Sequence, residues 1–489
     1  MPEAGRKRRI RWTSREIAPP ANYAALRREI GAVRSGAILE SAASSPKWGR
    51  YSIFAAAPVR RMTVLPDENP FDLMCRTWPP WSQYEPTGDL PFVGGWIGYI
   101  SYEAGKYIEP TADWSKTNPD FPLTQWTLYD TVLLHDTEQG KWHVAGVTLP
   151  KELSQTARAP LKDRLGELAD CVAYLDVSEE DDSSLPPALG RPGHDGPEWN
   201  YSRDAYLSKV DRILVYIRAG DIFQANLSRR LRVPMELHPF SIFERLSVVN
   251  PATHAAYLPV RLHDRSAGPA AIISSSPELF LHLRAGEVTT RPIKGTRSRG
   301  ASPEADRAAS QALAASEKDR AELNMIIDLE RNDLGRVCEY GTIRVVSDGD
   351  IETMPTVFHR TATITGRLRP GLDAIDLLRA TFPGGSVTGA PKVRAMQIID
   401  ELEPDARGPY CGAIGYVGLD GSMHLNLPIR TMIAARGAVD LHVGGGIVAD
   451  STPEQEYAEL QAKAAGMLRA IGLDQATERQ PAEMNAAHA

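Results

Sequence analysis

One lysine stands out for the chemistry it could do. In Arg291-Pro292-Ile293-Lys294-Gly295-Thr296-Arg297-Ser298-Arg299-Gly300 it sits at a strand-to-turn junction among arginines. Arg291, Arg297 and Arg299 would disfavour its ammonium form and burial would add to that, which is the setting of an amine nucleophile. Taken alone, such a stretch is more often a solvated loop or a phosphate contact, so the rest of the chain has to decide. Gly384-Gly385-Ser386-Val387-Thr388-Gly389-Ala390-Pro391-Lys392 looks like a phosphate loop but fails the Walker pattern, because two residues separate Gly389 from Lys392. Glu459 and Lys463 are four residues apart on one helix, the spacing of an exposed ion pair. Cys75, Cys171, Cys338 and Cys411 show neither metal-ligand nor redox spacing and are expected as buried free thiols.

The elements that must position these residues are readable from periodicity. Leu207, Val210, Ile213, Leu214 and Ile217 follow helical spacing, and Gly220 supplies a stop. Residues 223–233 alternate as a strand, 271–273 and 279–283 read as two more, and Arg284-Ala285-Gly286-Glu287 turns into another at 288–293. Helices are expected over 303–315, 319–334, 374–380, 391–402 and 453–471. The last is opened by a capping box from Ser451 to Glu454, with Pro453 in the first turn. Strands and helices mix without a regular β-α repeat, which favours an α+β fold over a doubly wound sheet. The acidic, helix-breaking stretch from Ser178 to Pro197 reads as a surface linker, at 178–200, between an N-terminal region (1–177) and a catalytic region (201–473). Residues 474–489 have no apolar pattern and read as a loose tail.

The chain has 489 residues, 42% hydrophobic and 24% charged, which is ordinary for a globular protein able to bury a sizeable core. A net charge of -7 argues against nonspecific nucleic-acid binding and leaves room for a local basic pocket that takes an anionic metabolite. The basic stretch from Met1 to Trp12 is followed by no signal-peptide core, and no run is long enough to span a bilayer, so no membrane partner and a cytoplasmic location are expected.

Further motifs join the Lys294 stretch in order. They are Ile222-Phe223-Gln224-Ala225-Asn226-Leu227-Ser228, Ser275-Ser276-Pro277-Glu278, Ala321-Glu322 through Asp333-Leu334, the 384–392 loop, Tyr410 with Gly412-Ala413-Ile414-Gly415-Tyr416, Pro428-Ile429-Arg430, and Gly444-Gly445-Gly446-Ile447-Val448 leading to Glu456-Tyr457-Ala458-Glu459. Together they resemble the chorismate-utilising enzymes, a family that includes anthranilate synthase component I, aminodeoxychorismate synthase component I, and the isochorismate and salicylate synthases. The resemblance is strong over residues 200 to 470. It is looser before residue 175, where Leu39-Glu40-Ser41 and Gly94-Gly95-Trp96-Ile97-Gly98-Tyr99 carry it.

That resemblance implies two layered antiparallel sheets flanked by helices, with a site in the C-terminal part. Chorismate carries two carboxylates and a leaving hydroxyl, so an enzyme acting on it needs charge neutralisation, a general acid and a nucleophile. By resemblance Glu322 and Glu459 hold Mg2+, for which hard oxygen ligands suit, with Glu330, Asp328, Asp333 and Glu456 as nearby carboxylates that sequence alone does not separate from them. Arg430 and Lys463 match the carboxylate partners. Tyr410, Gly295, Thr296, Gly444, Gly445 and Gly446 match groups that hold the enolpyruvyl side chain. Glu278 matches the general acid for the C4 hydroxyl, and His359 a pocket histidine that positions substrate or transfers a proton.

Two positions speak to the branch of the family. Gln224 stands where isochorismate and salicylate synthases carry a water-activating lysine, and Lys294 stands where anthranilate synthases read alanine. Pro-Ile-Lys-Gly-Thr is the mark of the aminodeoxychorismate branch, and implies that Lys294 attacks C2 of chorismate before ammonia adds at C4. No cysteine lies in a Gly-x-Cys-x-Gly motif, so ammonia is expected from a separate class I glutamine amidotransferase subunit, and no segment is left for a fused lyase. Ser41 and the later Asn250-Pro251 resemble a tryptophan pocket, but Ala252-Thr253-His254-Ala255 departs from the Pro-Tyr-Met type found there, which leaves a packed interface as the other reading. An anthranilate synthase subunit is the nearest alternative, and a catalytically silent binding homologue is the alternative of another class.

Overall fold

The computed structural model describes residues 10–42, 48–78, 88–112, 114–154, 158–175, 196–235 and 237–473. The basic start, most of the expected linker and the expected tail lie outside the described residues.

Two antiparallel sheets, of twelve and ten strands, carry the fold. Their central strands are buried along their whole length, as Ala270–Ser276 is in the first sheet and Gly95–Ile100 in the second. Strands covered on both faces need apolar residues at every position rather than in alternation, and these have few charges. The edge strand Trp12–Ile17 is instead largely exposed and carries Arg15 and Glu16, charges that discourage further pairing. Both sheets draw strands from both sides of residues 178–200: Ile38 lies opposite Tyr257 in the first, and Tyr99 opposite Ile414 in the second.

Three apolar clusters explain the layering. One, with Ile97, Tyr99, Val132, Ile272 and Ile414, lies between the sheets. A second packs helices Arg203–Ala219, Pro239–Val249 and Pro453–Ala470 on the outer face of the first sheet, and a third packs Glu317–Gly335 and Ala374–Thr381 on the second. The order is therefore helix, sheet, sheet, helix, the α+β arrangement expected. Among the described residues no helix is long and apolar enough to cross a membrane.

Local signals held where one residue decides a boundary. Ser202 caps Arg203–Ala219 by accepting from Ala205 N, and Gly220 ends it in the left-handed conformation at φ 81°. Helix Glu317–Gly335 starts two residues earlier than periodicity suggests, because the Ser316 side chain accepts from Asp319 N at 3.3 Å. The capping box at Ser451 is absent. Thr452 is the N-cap and makes no side-chain cap bond, while the Ser451 hydroxyl accepts from Val448 N (3.1 Å) and donates to Glu456 (2.6 Å). The strand expected at 288–293 is two, Glu287–Arg291 and Ile293–Ser298, broken at Pro292, which has no N–H to give a ladder. Of the four cysteines only Cys338 and Cys411 are buried; Cys75 is exposed and Cys171 half-buried.

Candidate active site

Lys294 follows that break. Strand Ile293–Ser298 pairs with Val357–Arg367, and its register slips between Ile293 and Thr296. An irregularity of this kind re-aims the side chains within it. The Lys294 ammonium donates to the Ser386 carbonyl at 3.1 Å. The Ser386 hydroxyl, in turn, donates to Glu278 Oε1 at 2.6 Å. One serine thus joins the expected nucleophile to the expected acid. Glu278 is buried, and burial pushes its carboxyl above the ordinary range, against the opposing pull of the Ser386 hydroxyl and of Lys294. A raised carboxyl is what a general acid needs at neutral pH.

The arginines around Lys294 are not a free field of positive charge. Arg291 is paired with Glu352, Arg297 with Asp319 at 2.8 Å and Arg299 with Asp306 at 2.7 Å. The expected repulsion of the Lys294 ammonium by its sequence neighbours is therefore largely neutralised by their acidic partners, Glu352 and Asp319 being brought in by the fold. Gly295 next to it has φ +87°, and a Cβ there would lie 2.8 Å from Asp319 Cγ, so only glycine lets the strand run this close to helix Glu317–Gly335.

Two helices bring the expected metal ligands to this strand. Glu322, on Glu317–Gly335, is pushed up by burial, and nearby Lys294 and Lys318 oppose that while Asp319 and Glu459 add to it. Glu459, on Pro453–Ala470, is held below the usual range chiefly by Lys463, 2.7 Å from its Oε1. Lys463 also donates to the Gly444 carbonyl at 3.1 Å, and Gly445 lies against Lys463 and Glu456. The two carboxylates act on each other's charge and on Lys294, so one neighbourhood contains both. Their donor set fits Mg2+, which is commonly bound through one or two carboxylates with water and substrate oxygens completing the shell. Among the described residues no group of three or more His, Cys, Asp or Glu is arranged around a metal position.

Arg430 stands in the left-handed region at φ 51°, a strained backbone for a residue with a Cβ. Its side chain has no hydrogen-bond or ion-pair partner among the described residues, although Glu278 is close enough to act on it electrostatically. A half-buried guanidinium without a partner among the described residues is suited to an incoming carboxylate. His359 pairs its Nδ1 with Thr296 Oγ1 at 2.9 Å, and burial drives its pKa down to about 3, so it serves as a neutral hydrogen-bonding group. Tyr410 is buried and stacks on His442, centroids 5.3 Å apart. Gln224 is fully buried, both its amide atoms lack a partner among the described residues, and it lies against Gly446, where a Cβ would sit 2.5 Å from Nε2.

Sequence reasoning missed Ser386 and the buried frame behind it. Arg407 donates to both oxygens of Glu403, to the Val387 carbonyl at 3.0 Å and to the Asn226 carbonyl at 2.8 Å. Glu403 accepts in turn from Ser228 N (2.7 Å) and Oγ (2.9 Å). The frame ties the Ser386 loop to the strand that bears Gln224. At the expected tryptophan segment, Ser41 N donates to Ser52 Oγ at 3.1 Å and Ala42 N to the Ala252 carbonyl at 3.0 Å, so the two segments do meet. Glu40 beside them is occupied by Tyr23 (2.5 Å) and Arg27 (3.2 Å).

Comparison with known proteins bears on the family and the fold. Residues 39–469 match the family described as chorismate binding enzyme. The chain is 40% identical over 382 residues to aminodeoxychorismate synthase component 1 of Salmonella typhimurium, covering 77% of this chain and 76% of that one. It is 37% identical over 394 residues to anthranilate synthase component 1 of Thermus thermophilus, covering 79% of each. The crystal structure of anthranilate synthase component I from Streptococcus pneumoniae superposes with a TM-score of 0.72 at 30% identity, covering 87% of this chain and 93% of that chain. The site built by Lys294, Glu278, Glu322, Arg430 and Glu459 therefore lies in a chain that belongs to the chorismate binding enzyme family.

Proposed function

We propose that this chain aminates chorismate to 4-amino-4-deoxychorismate, working beside a separate class I glutamine amidotransferase subunit that supplies ammonia. The observation that carries the reading is the placement of Lys294 and Glu278 on the two polar ends of one serine, Ser386. Mg2+, held by Glu322 and Glu459, would neutralise the ring carboxylate when bound. Arg430 would take a substrate carboxylate through its planar fork, with the neutral Thr296–His359 pair and Tyr410 as hydrogen-bonding groups for the enolpyruvyl side chain. With its proton given up, the Lys294 amine forms a bond to C2 as the C4–O bond breaks, and Glu278 supplies the proton that lets the hydroxyl leave as water. Ammonia then bonds to C4 as the C2–N bond to lysine breaks, and Lys294 is restored. A covalent step divides one difficult displacement into two easier ones. The product retains its enolpyruvyl group and enters 4-aminobenzoate and folate synthesis.

Relatives of both names match at similar identity, so anthranilate formation is the second reading. A product assay separates them: the purified chain with chorismate, Mg2+ and excess ammonium salt at mildly alkaline pH, read by mass spectrometry and fluorescence. The proposal expects a nonaromatic aminated product that keeps the enolpyruvyl group. Fluorescent anthranilate with released pyruvate would overturn it.

A further inference from the structure

A second buried carboxyl lies behind Ser386, and the mechanism above gives it no role. Glu330, 3% exposed, points from helix Glu317–Gly335 toward the Gly385–Ser386 turn, its Oε1 3.5 Å from where a Cβ on Gly385 would stand. Its Oε2 accepts from Thr290 Oγ1 at 3.3 Å. No ion pair reaches it among the described residues. The cation that acts on it, Lys392, is committed to Asp333 and to the Thr381 carbonyl at 2.9 Å. A carboxylate buried without a cation is costly, whereas a carboxyl is not.

We propose that Glu330 is a positioning residue of this site: an uncharged carboxyl behind the Gly385–Ser386 turn that leaves the pocket open to a dianionic substrate and closes it on ionising. This rests on the reading that the pocket takes chorismate. The groups facing Glu330 are Thr290 from strand Glu287–Arg291, Glu278 from the loop after Ala270–Ser276, Lys392 from helix Lys392–Leu402, and Asp333 from its own helix. Burial first, then Asp333 and Glu278, push its pKa up to about 8, with Lys392 and Thr290 opposing. Below that pH the space behind Ser386 is neutral, and Glu278 shares it without a like charge. Above it, a new negative charge stands behind the Ser386 turn that joins Lys294 and Glu278, opposed by Lys392 without an ion pair among the described residues, and it repels Glu278 and the incoming carboxylates.

The test is equilibrium binding of chorismate, with Mg2+ and no ammonia, by wild type, Glu330→Gln and Glu330→Asp between pH 7 and pH 9. A single blocking ionisation at the midpoint given weakens wild-type binding about tenfold over that interval. Glu330→Gln, which cannot ionise, should change less than about twofold, and Glu330→Asp should keep the decline with a displaced midpoint. Equal declines in wild type and Glu330→Gln, or no decline in wild type, would overturn the inference. If Glu330→Gln does not fold, Glu330→Asp decides, because an unmoved midpoint there is equally fatal. Failure of wild type to bind chorismate even at pH 7 would mark a failure of the functional reading itself, and this inference would go with it.

Discussion

Ser386 gives its hydroxyl to Glu278 and its carbonyl to Lys294, so removing the hydroxyl acts on the acid while leaving the lysine contact in place. In Ser386→Ala the Glu278 carboxyl loses the Ser386 hydroxyl as a donor, at a cost of about 1–3 kcal/mol for a buried group. We expect kcat/KM to fall about ten- to hundredfold, with kcat carrying most of the loss, measured in the ammonia-dependent assay. Arg430→Gln, by contrast, removes a charged fork that the free protein does not use, so KM for chorismate should rise about ten- to hundredfold while the melting temperature stays close to wild type. The motifs singled out Lys294, Glu278 and Arg430 as candidates. Ser386 was in view too, inside a glycine-rich loop, but nothing in a linear motif shows that a serine's two polar ends meet Lys294 and Glu278. The charge around Lys294 misled for a related reason: Asp319 and Glu352 are far from Arg297 and Arg291 in sequence and adjacent in the fold.

At the scale of elements, the Ser386 loop and the Gln224 strand are held together by Arg407 and Glu403, both buried and bonded bidentately. Arg407→Met leaves the Glu403 carboxylate buried without its cation and frees the Val387 and Asn226 carbonyls. That should destabilise the chain by about 3–5 kcal/mol, visible as a lower denaturant midpoint with an unchanged slope. Helix Lys392–Leu402 buries Ala395, Met396, Ile399 and Leu402 along one face, so apolar spacing marks it, whereas Pro303–Ala315 buries Leu313 alone and is marked instead by its cap, Ser302, which accepts from Ala305 N. The starts of Glu317–Gly335 and Pro453–Ala470 were less legible. Ser316 and Ser451 are both followed three residues on by an acidic residue, yet only Ser316 spends its oxygen on the helix, since tertiary contacts draw Ser451 to Glu456.

At the scale of the molecule, strands from both ends of the chain share both sheets, so the site stands on a core that neither half completes alone. Alternation and apolar runs gave the fold class, but strand order in sheets of this size depends on pairings between residues hundreds of positions apart, which no local pattern records. Global stability should show the buried carboxyl. The pKa of Glu330 is raised from 4.5 to about 8, so the folded state holds a proton that the unfolded chain releases, and stability is lost as pH rises from about 4.5 to about 8. Glu330→Gln removes that linkage: its melting temperature relative to wild type should be higher at pH 8 than at pH 5, by calorimetry.

The covalent role of Lys294 is the central claim, and it can be read from intact protein mass. Wild type incubated with chorismate and Mg2+, without ammonia, and quenched rapidly should gain one chorismate less one water on Lys294. Lys294→Ala should gain nothing and lose ammonia-dependent amination. A Lys294→Ala chain that aminates chorismate at the wild-type rate would contradict the account.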